Sequence, residues 1–305
     1  MFGRILVPMD FSAPSDAALE HARAFARTWN GSLHLLHVTA ERLTPPHAAG
    51  DHADPTAMRE IRDRLVDADR ERRLTIRVVE RKPPAEAIIN YARFAHIELI
   101  VMGTHGRTGV AHLLMGSVAE SVVRSAPCPV LTVHQGSAST PAFTRILVPT
   151  DFSEPSDAAL DCARSLQVQF GASIHLLHVL EEEQIAGPFG AEVFVTESPE
   201  AREGRLRDAR ERLAHRISPA DRASGRMTTE VLFGQVASTI VNYASDNGFD
   251  LVVMGTHGRT GLAHLLMGSV AERVIRSAAC PVLTTHGERP CTVVVTADRE
   301  SVMVS

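Results

Sequence analysis

Apolar residues along this chain come in short unbroken runs, separated by longer stretches in which they recur every three or four positions. The runs are RILVP from Arg4, SLHLLHV ending at Val38, LTIRVV from Leu74, ELIVMG ending at Gly103 and PVLTV from Pro129. Runs this short, rich in branched residues, predict strands buried on both faces. Between them, helical periodicity predicts helices from Ser15 to about Thr28, Pro55 to Arg72, Pro84 to Phe94 and Ser117 to Ala126. The Pro55–Arg72 stretch is rich in i,i+4 charge pairs, the mark of a solvated helix face. Strands alternating with helices predict a parallel sheet covered on both faces.

The whole alternation occurs twice. RILVPMDFSAPSDAAL from Arg4 returns as RILVPTDFSEPSDAAL from Arg145, and CPVLTVH from Cys128 returns as CPVLTTH from Cys280. The passage VMGTHGRTGVAHLLMGSVAE from Val101 returns from Val253 with a single change, Val110 to Leu262. Arg4 to Arg145 is 141 residues and Cys128 to Cys280 is 152, so the second copy carries 11 more residues in its middle. Self-similarity of this kind predicts two tandem α/β domains. They span 1–136 and 145–288, with a linker at 137–144 and a tail at 289–305. The middles, Glu41–Lys82 and Glu182–Gly234, have diverged, whereas the Gly-rich passages have not.

The preserved passages carry the candidate chemistry. Gly103 ends the fourth strand, where open α/β sheets bind ligands. Glycine there lets backbone N–H groups approach a ligand without a Cβ in the way. Gly116 and Ser117 then open a helix whose free N–H groups and positive dipole end favour an anion. Ser117 to Glu120 also has the Ser-x-x-Glu spacing of a capping box. Gly255, Gly258, Gly268, Ser269 and Glu272 repeat the arrangement. Turn geometry or tight packing would also account for such glycines. Asp10 and Asp151 each follow a first strand directly. A carboxylate there accepts hydrogen bonds from an amino group or a ribose hydroxyl, or else it caps the next helix, a role open to Ser12 or Ser15 as well.

Other chemistry is weaker. His34 and His37, like His175 and His178, stand three apart on a strand and so point to opposite faces, which prevents chelation of one metal. His105 and His257 sit in the Gly-rich loops beside Arg107 and Arg259, within reach of a phosphate but with no adjacent carboxylate to orient a catalytic ring. The Lys-containing phosphate loop G-x4-G-K-[S/T] is absent. No catalytic or metal-ligating set stands out.

Composition narrows the class. With 305 residues, 44% apolar, 22% charged and a net charge of −5, the chain reads as an ordinary globular protein with no electrostatic footprint for nucleic acid or an acidic membrane. No run of about 18 apolar residues predicts a membrane span. The start, MFGRILVPMDFS, lacks a signal-peptide layout. Four cysteines without Cys-x-x-Cys spacing read as reduced thiols in the cytoplasm, Cys128 and Cys280 being packing thiols before a proline.

Together these residues resemble the universal stress protein family in its tandem two-domain form, over nearly the whole chain. The most specific match is the family's ATP-binding pattern G-x2-G-x9-G-[S/T], met by Gly103, Gly106, Gly116 and Ser117 and again by Gly255, Gly258, Gly268 and Ser269. The resemblance implies two open five-stranded parallel sheets of strand order 3-2-1-4-5, and ATP with a divalent cation, magnesium or manganese, between the first and fourth strands. It implies that Pro8, Asp10 and Val38 line the adenine and ribose end, while Met102, Gly103, Gly106, Gly116, Ser117 and Val118 hold ribose and phosphates. In the second half the set is Pro149, Asp151, Val179, Met254, Gly255, Gly258, Gly268, Ser269 and Val270. One departure is Lys82, standing where the second half has Gly234 and the family often has glycine. The resemblance also implies that the fifth strands pair as an intramolecular pseudo-dimer, with the tail a candidate for further pairing between chains. The functional expectation is an ATP-binding regulator of the stress response. A slow ATP hydrolase and a nucleotide-free interaction module are the alternatives.

Overall fold

The computed structural model describes residues 2–39, 55–70, 74–80, 83–104, 115–134, 143–182, 184–186, 192–194, 197–258 and 267–285. Lys82, Gly106, the loop residues His105, Arg107 and Arg259, most of the 137–144 linker and the 289–305 tail lie outside them.

The first half runs β1 (Arg4–Pro8), α1 (Ala13–Trp29), β2 (Ser32–Thr39), α2 (Pro55–Asp63), α3 (Asp67–Arg70), β3 (Leu74–Glu80), α4 (Pro84–Phe94), β4 (Leu99–Gly103), α5 (Ser117–Ser125) and β5 (Val130–Val133). The second runs β6 (Arg145–Pro149), α6 (Glu154–Phe170), β7 (Ser173–Leu180), a small hairpin of β8 (Gln184–Ala186) and β9 (Glu192–Phe194), α7 (Pro199–Arg216), α8 (Pro219–Ser224), β10 (Met227–Phe233), α9 (Val236–Asp246), β11 (Leu251–Gly255), α10 (Ser269–Ser277) and β12 (Val282–Thr285). The hairpin lies in the longer middle of the second copy, where the apolar pattern predicted nothing.

Each half has the strand order 3-2-1-4-5, all parallel, but the two sheets are one. The full order is β10-β7-β6-β11-β12-β5-β4-β1-β2-β3, joined by antiparallel pairing of β5 with β12. At the join Leu131 faces Leu283, its own counterpart in the repeat, so the halves meet about a local two-fold. Buried threonine hydroxyls staple the seam, Thr132 to the Val282 carbonyl at 3.1 Å and Thr284 to the Val130 carbonyl at 3.2 Å.

Alternate residues of each strand feed two cores. Ile5, Val7, Leu33, Leu99 and Leu131 face α1, α2, α6 and α7. Leu6, Ile100, Val130 and Val252 face α4, α5, α9 and α10. Both cores cross the seam. On the first face an aromatic cluster crosses with them, Phe2, Phe25 and Trp29 from one half meeting Phe170 from the other and Phe143 from the segment that leads into β6, with Trp29 edge-on to Phe170 at 5.4 Å.

The single helix expected over Pro55–Arg72 is broken in two. The break carries tight i,i−3 turns at Arg64 and Leu65, and the Asp69 carboxylate accepts the Val66 N–H at 3.1 Å. That bend delivers Asp69 to Arg23 on α1, where Nη2 to Oδ2 is 2.6 Å and both side chains are buried. The second half repeats the device with Arg164 and Asp221, 2.9 Å apart.

Candidate functional site

β1 and β4 are neighbours, Ile5 opposite Leu99 and Leu6 opposite Ile100. The chain leaves β1 towards α1 on one face and leaves β4 towards α5 on the other. The divergence opens a crevice at the carboxyl ends of the two strands. A cleft of about 230 Å³ fills it, lined by Pro8, Asp10, Val38, Met102, Gly103, Gly116, Ser117 and Val118 among others. Every expected residue of the first half within the described segments is therefore brought to one cavity, and Gly106 lies outside them. Sequence reasoning missed Met9, Leu36, Ile88 and Thr104 in the lining. For three of them a signal existed: Leu177, Ile240 and Thr256 are identical counterparts in the repeat.

Asp10 does not cap α1. Ser12 is the N-cap, its Oγ accepting the Ser15 N–H at 3.4 Å, while Asp10 Oδ1 accepts the Ser12 N–H at 3.1 Å and the Ser12 hydroxyl at 2.6 Å. Between them Phe11 takes a φ of 64°, a left-handed conformation costly for a bulky residue. The turn is clamped from both sides. His37 stacks on the Phe11 ring at 4.5 Å and donates from Nδ1 to the Met9 carbonyl, while the Arg64 guanidinium lies 4.9 Å from the same ring. Phe152 repeats this with φ 66°, His178 at 4.3 Å and Arg216 at 4.7 Å. Arg64 and Arg216 are themselves 152 residues apart, a preserved pair inside the diverged middles.

One expectation about the Gly-rich passage is corrected. Ser117 is not a cap and forms no capping box. Gly116 is the N-cap of α5, at φ −64° and ψ 140°, and no side chain caps the helix; Glu120 instead reaches Arg124 at 3.9 Å. The Gly116 N–H is held by the Thr104 carbonyl at 2.8 Å, which brings the chain into the helix one residue early. The first-turn amides of α5, lacking intrahelical partners, present the positive dipole end at the cleft. Gly103, though it lines the cleft, is required by packing: a Cβ there would sit 2.6 Å from the Pro14 Cβ on α1. Gly255 meets Pro155 in the same way, at 2.9 Å.

The strand histidines divide between faces as expected. His34 bonds the Tyr91 hydroxyl on α4 at 2.9 Å, as His175 bonds Tyr243. Burial lowers the pKa of both. Cys128 is buried, but Cys280 is only partly so, and burial pushes its thiol up to about 11, an unreactive state at neutral pH.

The model of the "Universal stress protein family" matches residues 1–134 and again residues 142–286. The chain belongs to the universal stress protein family. A universal stress protein of Mycolicibacterium smegmatis is 29% identical over 299 residues, covering 92% of this chain and 96% of its own. Universal stress protein MJ0531 of Methanocaldococcus jannaschii is 35% identical over 141 residues, 46% of this chain and 81% of its own. The solved structure of a universal stress protein from Archaeoglobus fulgidus shares the fold, with a TM-score of 0.65 over 93% of this chain and 98% of that one at 22% identity.

In the second universal stress domain, β6 and β11 take the places of β1 and β4. Pro149, Asp151, Val179, Met254, Gly255, Gly268, Ser269 and Val270 hold the matching strand-end and helix-start positions. Asp151 Oδ1 accepts the Ser153 N–H at 3.0 Å, and the Gly268 N–H is held by the Thr256 carbonyl at 2.9 Å. Gly258 lies against the aspartate, where a Cβ would come within 2.8 Å of Asp151 Oδ2. That close approach ties the Gly-rich loop to the carboxylate directly. Among the described residues, no helix is long and apolar enough to cross a membrane.

Proposed function

We propose that this universal stress protein binds ATP in each half and acts in the stress response through nucleotide-dependent conformation or partner contacts. One observation carries the reading: Asp10 and the uncapped start of α5 face a single cleft walled by apolar Val38 and Met102. That is the donor, acceptor and hydrophobic layout of a nucleotide site. Pro8, Val38 and Met102 would hold the base, and Asp10 a ribose hydroxyl or amino group. Gly103, Gly106, Gly116, Ser117 and Val118 would cradle ribose and phosphates. Pro149, Asp151, Val179, Met254, Gly255, Gly258, Gly268, Ser269 and Val270 would do the same in the second half. Magnesium or manganese would enter with the phosphates, since among the described residues no three His, Cys, Asp or Glu side chains group to hold an ion. On this reading 1–136 and 145–288 are two binding units joined by 137–144, and the tail at 289–305 serves assembly.

Calorimetric titration with ATP and magnesium tests it. Two molecules should bind per chain. Asp10→Ala and Asp151→Ala should each weaken one site by roughly tenfold or more, as for loss of a charged hydrogen bond. ATP at about 100 times its dissociation constant should stabilise the fold by about 2.7 kcal/mol for each occupied site. An intact chain that takes up no ATP overturns the reading.

A further inference from the structure

The first cleft is built partly on the second half of the molecule. Thr104, fully buried after β4, lines the cleft and holds the Gly116 N–H with its carbonyl at 2.8 Å. Its hydroxyl lies 3.0 Å from Nδ1 of His134, the residue after β5. Nε2 of His134 is 2.8 Å from the carbonyl of Ile275. Ile275 belongs to α10, whose first turn at Ser269 forms the second cradle. A carbonyl only accepts, so Nε2 carries the proton, and in the neutral ring Nδ1 accepts a hydrogen bond from the Thr104 hydroxyl. The Ile275 carbonyl is among the last four of α10, which lack helical partners, so the imidazole also completes that helix end. One ring thus joins the opening of α5 in one half to the helix that opens the cradle of the other.

We propose that His134 is a positioning residue that couples the two nucleotide clefts. It anchors Thr104, and through it the start of α5, to α10 of the opposite half, so ligand at either cleft changes the affinity of the other. Coupling of this kind is reciprocal by thermodynamic necessity. The proposal rests on the ATP reading above. His286, the counterpart of His134, lies outside the described residues.

The test is calorimetric titration of the full chain with ATP and magnesium, alone and with Asp151→Ala to silence the second cleft. Each background receives His134→Leu, His134→Gln or Thr104→Val. With the second cleft silenced, His134→Leu and Thr104→Val should weaken the first by about three- to tenfold, as for one lost buried hydrogen bond. His134→Gln, whose amide both donates and accepts, should recover most of that loss. With both clefts intact, the two binding steps should interact in the parent chain and become independent in His134→Leu. Should His134→Leu fail to fold, as read by Trp29 fluorescence, the near-isosteric Thr104→Val carries the same test. Loss of stability with affinity and interaction both unchanged makes His134 a helix cap alone and overturns the proposal. No ATP uptake by the parent chain overturns the nucleotide reading and this proposal together, whereas uptake indifferent to His134→Leu and Thr104→Val overturns this proposal only.

Discussion

At the residue scale, Gly103 and Gly255 are set by contact with a proline on a helix packed against their strand, Pro14 of α1 and Pro155 of α6. Gly103→Ala should destabilise the fold by about 1–3 kcal/mol, the usual cost of overpacking, because the new Cβ meets Pro14 at 2.6 Å. Urea denaturation reads this, and an unchanged midpoint would mean that α1 yields. Three histidines set a pH dependence. Burial lowers the pKa of His21, His34 and His175 in the folded chain. The unfolded value is about 6.5, so below it the unfolded chain binds protons that the folded chain excludes. Stability should hold above about pH 6.5 and fall as pH decreases towards the folded-state values. Urea midpoints taken across that range should show the fall, and His34→Gln with His175→Gln should shallow it; a midpoint flat with pH contradicts the assignment.

At the element scale, the short helices after α2 and α7 are held by buried carboxylates. Removing one partner of a buried ion pair leaves a stranded charge, at a cost of about 3–5 kcal/mol. Asp69→Ala should show that loss in a chemical melt, because Arg23 and Asp69 are only 4% and 3% exposed. Asp221→Ala should cost less, since Arg164 is 30% exposed and water screens the charge left behind. Equal losses would show that exposure does not govern the pair. Helix starts, in contrast, were only half legible. Ser12 before α1 reads as a cap and is one, but the Ser-x-x-Glu spacing at Ser117 misleads. Backbone bonding of Gly116 to Thr104, invisible in the sequence, decides where α5 begins.

At the scale of the whole molecule, one ten-stranded sheet and two cores run through the seam. The halves should therefore unfold together. Trp29, the only tryptophan, lies in the aromatic cluster that bridges them, so its fluorescence reports the seam. Its urea transition should coincide with loss of far-ultraviolet circular dichroism, which reports both halves. Fluorescence changing at lower urea would show the seam opening before the domains melt.

The grouping of Asp10 with the glycines was implied by the family resemblance through its strand order, whereas strand and helix order and the repeat were legible in the sequence itself. Each is a local pattern: apolar periodicity follows backbone geometry, and a motif kept twice in one chain marks its own importance. Tertiary structure alone decided the rest. Pairing of the fifth strands is implied by the family resemblance, but its antiparallel register, with Leu131 on Leu283, which makes the two sheets one, comes from the unpaired backbone groups that the packed halves bring edge to edge. Gly103 carries a packing constraint besides its place in the cleft because Pro14, some ninety residues away in sequence, meets it in space. The left-handed Phe11 turn depends on His37 and Arg64, contacts that no local pattern encodes. Sequence spacing places residues along an element; which elements touch, and at what distance, is a property of the packed fold.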